Sequence, residues 1–114
     1  MANAKVFFVT RSLRFNTKAS EKFGTATFLM EDDSISPFQT DRVMHTIDER
    51  LTHEGFDAER DFVALTGSHV LVAMFLASAI SRQSSVRALL FDARSSRYQE
   101  RIISIARDTA KPAV

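Results

Sequence analysis

Cysteine and tryptophan are absent from this chain of 114 residues, and tyrosine occurs once. Without cysteine there can be no disulfide, no thiolate metal ligand and no cysteine nucleophile, and the chain is compatible with a reducing cytoplasm. Ten phenylalanines against a single tyrosine make the aromatic content mostly core filler. Long hydrophobic runs are also lacking. The longest, Val70 to Ala77, falls well short of the roughly 18 apolar residues that span a bilayer. The N-terminus leads straight into a strand-like run without the layout of a signal peptide, so a soluble cytoplasmic protein with no membrane partner is expected. Internal repeats and low-complexity segments are absent as well.

What is present fits one ordinary globular domain, with 45% hydrophobic and 25% charged residues. The formal net charge of +1 conceals a division into a basic, an acidic and a second basic block. Residues 1–30 carry net +4, residues 31–61 net −7 and residues 62–114 net +4. Such asymmetry marks either a basic contact face or one solvated acidic helix with its loops.

The stretch from Asp61 to Ile105 is the most informative. Asp61 to Thr66 is a short apolar run, broken by Gly67-Ser68-His69. Val70 to Ile80 is apolar at helical length, and Val86 to Asp92 is a second short run. Strand, turn, helix, strand is the βαβ pattern, which requires parallel strands and a crossover. Upstream, Lys5 to Thr10 and Gly24 to Met30 read as strands. Between them Arg11 to Phe23 forms a long basic connection. Ser36 or Thr40 is placed to cap the next helix. From Thr40 to Glu54, Val43, Met44, Ile47 and Leu51 form one apolar stripe, closed by Gly55 with Phe56 packing back. Val86–Asp92 and Tyr98–Ile105 form a terminal hairpin around Ala93 to Arg97. The expected fold is a small single-domain α/β structure of two or three layers, with a mixed, mostly parallel sheet in the order β-β-α-β-α-β-β (Rossmann-like). It spans residues 1–106, with 107–114 as a flexible tail. The alternative is an α+β arrangement with both helices on one face of a mainly antiparallel sheet.

The helix over 68–82 has almost no polar face except Ser78, and one sheet and one neighbouring helix cannot easily cover it. A homo-oligomeric interface through this helix is one expectation. The competing one tucks Phe75 and Leu76 beneath the basic connection.

Candidate chemistry concentrates on the turn after the third strand. Thr66, Gly67, Ser68 and His69 offer hydroxyls, free N–H groups and a helix N-terminus, the features that hold a phosphate or carboxylate. The same residues also suit a plain turn with an N-cap. The spacing is neither GxGxxG nor GxxxxGK[ST], and no GxSxG elbow is present. Arg11, Arg14, Phe15, Lys18, Lys22 and Phe23 form one basic and aromatic cluster, and Arg94, Arg97, Tyr98 and Arg101 another. The two share an edge with Gly67 only if the first strand runs parallel to the later ones. Asp92 can meet a ribose hydroxyl or shape the hairpin turn. His45 and His53 are two helical turns apart, about 12 Å, so no metal site is expected, and no cofactor. Nothing assembles a nucleophile, a base and an oxyanion site, so the reading leans away from an enzyme. It favours a non-enzymatic binder of a phosphate-bearing ligand, a nucleotide or a nucleic-acid backbone, at 66–69. An interaction protein docking through helix 68–82 is the alternative.

From Asp61 to Arg101, the Leu65-Thr66-Gly67 turn, the apolar helix and Phe91-Asp92-Ala93-Arg94 resemble small uncharacterised accessory proteins of tailed bacteriophages. The resemblance covers about a third of the chain and implies expression in a host cytoplasm. It carries no catalytic motif and assigns no residue.

Overall fold

The run Val6-Phe7-Phe8-Val9 has no polar face to offer water, so a strand built from it must be covered on both sides. In the computed structural model, which describes residues 3–11, 16–31, 36 and 38–105, this run is the centre of the fold. Strand β1 (Lys5–Thr10) lies between β2 (Thr25–Met30) and β3 (Phe62–Ala64). Strands β4 (Ser85–Asp92) and β5 (Arg97–Ser104) complete a sheet of order β2-β1-β3-β4-β5. β1 pairs in parallel with both neighbours, β3 pairs in parallel with β4, and β5 returns antiparallel. Helices α1 (Thr40–His53) and α2 (His69–Gln83) fill the connections on either side of β3. A small α/β domain with five strands, mostly parallel, and two main helices is therefore what forms. The mainly antiparallel alternative does not.

The direction of each crossover decides which face it covers. From β1 to β2 the chain steps one way across the sheet, and from β2 through β3 to β4 it steps back. Right-handed crossovers then place the first connection opposite the two helices. One face carries Phe7, Val9, Leu29, Val63, Val86 and Ala88, packed against Val43, Ile47 and Leu51 of α1 and Leu71, Phe75 and Ala79 of α2. The other carries Val6, Phe8, Phe62, Ala64, Leu89 and Tyr98, packed against Ala19 and Phe23 of the β1–β2 connection. That connection contains a 3-10 turn at Lys18–Ser20. Phe75 and Leu76 thus pack on the helix side, and the basic connection lies on the far side of the sheet from them.

The apolar stripe of α1 is buried as its spacing requires. Gly55 takes φ +70° after the last turn. Its N–H reaches the Thr52 carbonyl at 3.1 Å, and Phe56 N–H reaches that of Leu51 at 3.0 Å, which completes a Schellman ending. The N-terminus of α1 departs from expectation. Gln39 occupies the cap position without a side-chain bond, and Ser36 Oγ accepts the Phe38 N–H instead. α2 is not buried all round: Val70 is 46% exposed, and Ala73 and Ala77 face water. Its one polar side chain on the packed side, Ser78, is buried and donates to Asp48 Oδ1 at 3.2 Å. Arg82 binds the same carboxylate at 2.6 Å, so Asp48 joins the helices and is not merely solvated.

At the N-terminal edge of the sheet, Asp61 is fully buried. Its carboxylate accepts the backbone N–H of Lys5 at 3.0 Å and of Asp57 at 2.9 Å, and Arg60 grips it through Nε at 2.8 Å and Nη2 at 2.9 Å. Burial pushes this carboxyl upward, but the Arg60 and backbone hydrogen bonds outweigh it and hold the group below its ordinary value of 3.8. A depressed carboxylate stabilises the fold fully above its unfolded pKa, and that contribution is lost as pH falls through the folded one. Asp61→Asn should therefore cost about 2 kcal/mol near pH 7, because the buried charged acceptor of these hydrogen bonds is lost. Urea unfolding of both proteins from pH 7 to pH 3 should show the difference shrinking as pH falls. A difference independent of pH would contradict this account.

Candidate functional site

Because β1 runs parallel to β3 and β4, their C-terminal ends share one edge. Arg11, the turn Leu65 to His69 and the hairpin Ala93 to Ser96 all emerge there. The turn stands in the middle, between the strand that delivers Arg11 and the hairpin that carries Arg94 and Arg97. Leu65 still donates to the Leu89 carbonyl at 3.1 Å, so the chain leaves the sheet at Thr66. Gly67 then adopts φ +118°, a conformation open to glycine and strained for other residues.

Ser68 holds the N-cap position of α2, but its side chain makes no capping bond, and no acidic residue stands in the first turn. Only its carbonyl is engaged, by the Val72 N–H at 2.8 Å. Neither side-chain oxygen nor local carboxylate therefore offsets the positive end of this helix. Gly67, Ser68, His69, Arg94 and Arg97 are all exposed, so the edge is open surface and not a cavity.

A second feature of the same edge could not be read from the residues in order. Among the described residues, five buried side-chain polar atoms have no hydrogen-bond partner: Thr10 Oγ1, Thr66 Oγ1, Ser95 Oγ, Tyr98 OH and Arg82 Nε. All but Arg82 Nε lie at this edge. Thr10 is fully buried and Tyr98 is 3% exposed. The register explains the grouping. Phe8 pairs with Ala64 and Ala64 with Leu89. β3 ends at Ala64, whereas β1 runs on to Thr10 and β4 runs on through Phe91, whose partner is Tyr98. The Tyr98 ring reaches across small Ala64 to Phe8, at 6.4 Å between centroids, and meets Phe91 at 5.1 Å. Burial raises the Tyr98 phenol above its ordinary value, so it stays protonated and remains a donor. Buried hydroxyls without protein partners are met by ordered water or by a bound group. The period-two alternation that places Thr10 and Tyr98 on one face was present in the sequence, but the pairing that joins them was not.

The remaining candidates divide. Arg11 is held by Glu31 at 3.1 Å and lies over the Phe28 ring at 4.1 Å, so its charge is drawn towards β2. Arg14 falls outside the described residues. Asp92 Oδ1 accepts the Arg94 N–H at 3.0 Å, which makes it the residue that shapes the hairpin turn. Arg94 Nε stays 4.0 Å from that carboxylate and is almost wholly exposed. No hydrogen bond joins Ser68 to His69 among the described residues, so no activated nucleophile forms there. No cluster of three metal-ligating side chains occurs among them either. No helix among them is long and apolar enough to cross a membrane. What the edge offers is donors and positive charge.

Comparison with known proteins adds one finding. The model of the phage Pam3 gp32-like protein family matches residues 4–105, and the chain belongs to that family. The match takes in the whole sheet and both helices, in keeping with the phage resemblance of Asp61 to Arg101. No curated protein and no solved structure matches the chain.

The geometry of the turn separates two substitutions. Gly67→Ala should cost about 1 kcal/mol or more, because its φ is positive. Ser68→Ala should cost well under the ~1 kcal/mol that loss of a bonded cap brings. Chemical denaturation of the two variants checks both values. A full-sized loss for Ser68→Ala would show that its hydroxyl caps the helix after all.

Proposed function

We propose that this member of the phage Pam3 gp32-like family is a non-enzymatic binding protein that takes a phosphate-bearing ligand at the C-terminal edge of its sheet. The observation that carries the reading is the convergence there of unpartnered donors. Thr66 Oγ1 is buried without a partner beside an α2 N-terminus that has no side-chain cap. Thr10 and Tyr98 add two more buried hydroxyls at the same edge of the sheet. Phosphate oxygens accept such hydrogen bonds, and the end of the helix dipole favours their charge. Arg94 and Arg97 supply exposed positive charge on the adjoining hairpin.

Between a nucleotide and a nucleic-acid backbone, the open surface favours the backbone. Small ligands bind in concave sites that bury most of their area, whereas backbone phosphates are met by exposed arginines and backbone N–H groups. Thr66, Gly67, Ser68 and His69 receive one phosphate in this reading, and Arg94 and Arg97 its neighbours. Expression with the phage genome in the host cytoplasm gives such a protein ready access to nucleic acid. The exposed stripe Val70, Ala73 and Ala77 supports a second reading, in which α2 docks on another protein surface.

Fluorescence anisotropy with labelled single- and double-stranded oligonucleotides tests the first reading. Binding should weaken steeply with salt. The double variant Arg94→Ala, Arg97→Ala should lower the slope of log affinity against log salt by about two, one for each phosphate that its arginine no longer neutralises. No binding at about 50 mM salt, or a slope unchanged in the double variant, would favour the docking reading.

A further inference from the structure

Among the described residues β5 is the last strand of the sheet, with β4 on one side only. Proteins usually blunt such an edge by shortness, charged side chains, proline, a bulge or a covering element. β5 carries Arg97, Glu100 and Arg101 in its first five residues, but its last three, Ile102 to Ser104, carry no charge. It runs eight residues, Arg97–Ser104, without lysine or proline. It pairs with β4 without interruption from Ser85↔Ser104 to Asp92↔Arg97. Ile102 is 62% exposed, and Ile105 just beyond the strand is 43% exposed.

The direction of the unused main-chain groups follows from the inner ladder. Ile105 N–H donates to the Ser84 carbonyl at 2.9 Å, so odd-numbered residues of β5 turn their main-chain groups towards β4. Tyr98, Glu100, Ile102 and Ser104 therefore present N–H and C=O groups outward.

We propose that this edge pairs antiparallel with β5 of a second copy of the chain, about a two-fold axis through Ile102. Continuing a sheet by a two-fold axis normal to it sets each residue opposite one on the same face, so even numbers meet even and odd meet odd. Charge then selects the register, because like charges directly opposite destabilise a pair. Centring on Glu100 opposes two carboxylates, and centring on Arg101 opposes two guanidinium groups. Centring on Gln99 opposes Arg97 to Arg101. Centring on Ile102 opposes Ile102 to its own counterpart, Glu100 to Ser104, Arg101 to Ile103 and Gln99 to Ile105, with no like pair. Moving the centre further shortens the pairing, because Ser104 ends the strand. The chosen register makes about six main-chain hydrogen bonds and covers the most exposed isoleucine of the sheet. One sheet then runs through both copies, and the two anion-facing edges lie at opposite ends of it.

Sedimentation equilibrium on the full chain reads the outcome against a monomer mass of 12.8 kDa. The wild type should show twice that mass, and Ile102→Lys should return it to one chain with an unchanged circular dichroism spectrum. Val70→Lys, at the exposed start of α2, should leave the doubled mass intact. The chain has no cysteine, so Ile102→Cys alone reports the axis. A hydrogen-bonded pair holds its Cα atoms about 5.5 Å apart, within disulfide reach, and oxidation should cross-link this variant and not Gln99→Cys. Four results would overturn the proposal. They are a one-chain mass up to the solubility limit, a doubled mass that survives Ile102→Lys, a doubled mass lost in Val70→Lys, and cross-linking through Gln99→Cys as readily as through Ile102→Cys.

Discussion

The parallel pairing of β1 with both of its neighbours is the constraint on which the structure depends. It buries Val6, Phe7, Phe8 and Val9 completely, two to each face. Full burial of one strand demands cover above and below, and a domain this small has only three crossovers to provide it. Two helices cover one face. The β1–β2 connection covers the other with Ala19 and Phe23, and Phe23 meets Phe62 at 5.4 Å. The same parallel pairing gathers Arg11, the Thr66 to His69 turn and the β4–β5 hairpin at one edge. Had β1 run the other way, Arg11 would have emerged at the opposite end.

The two ends of the sheet differ in how their polar groups are treated. At the N-terminal end the buried carboxylate of Asp61 draws four hydrogen bonds from three residues. Lys5 Nζ nearby reaches the Glu54 carbonyl at 2.8 Å. These donors all have acceptors, and the low pKa of Asp61 follows from the number of them that converge on it. At the C-terminal end the balance reverses, because the hydroxyls of Thr10, Thr66, Ser95 and Tyr98 lack partners among the described residues. The fold thus satisfies the Asp61 carboxylate at one end of the sheet and leaves donors at the other. The charge blocks of the chain do not follow this division. Asp57, Glu59 and Asp61 lie at the N-terminal end, but Glu31 of the same acidic block stands at the C-terminal edge beside Arg11.

Much of this was legible in the sequence, for reasons that differ by element. β1 and the stripe of α1 could be read because each repeats a physical period, an unbroken apolar run or Val43, Ile47 and Leu51 at helical spacing. Gly55 announced the end of α1 because a Schellman ending needs a left-handed residue. The end of α2 carried no such sign, since Ser84 takes φ 65° where a glycine is the usual choice. The direction of β1 was not legible, because nothing local distinguishes a parallel strand from an antiparallel one. The long Arg11 to Phe23 connection was compatible with both. Ser68 was placed correctly at the head of α2, but position alone does not make its hydroxyl bond. Asp61 read as the first residue of a strand, and only the folded chain brings Lys5, Asp57 and Arg60 around it. Tyr98 read as the aromatic member of the cluster with Arg94, Arg97 and Arg101, but strand pairing buries it beside Phe91, where its ring is closed to a stacking base.

The central claim is that the C-terminal edge holds the donors for an outside phosphate. Titration of the isotopically labelled protein with a short oligonucleotide, followed by amide nitrogen–proton spectra, tests it most directly. The account predicts shifts confined to Thr10 and Arg11, to residues 66–71 and to residues 94–98, growing together to saturation. Shifts centred on α1 or on the Asp57 to Asp61 end, or a spectrum unchanged at saturating oligonucleotide, would contradict it.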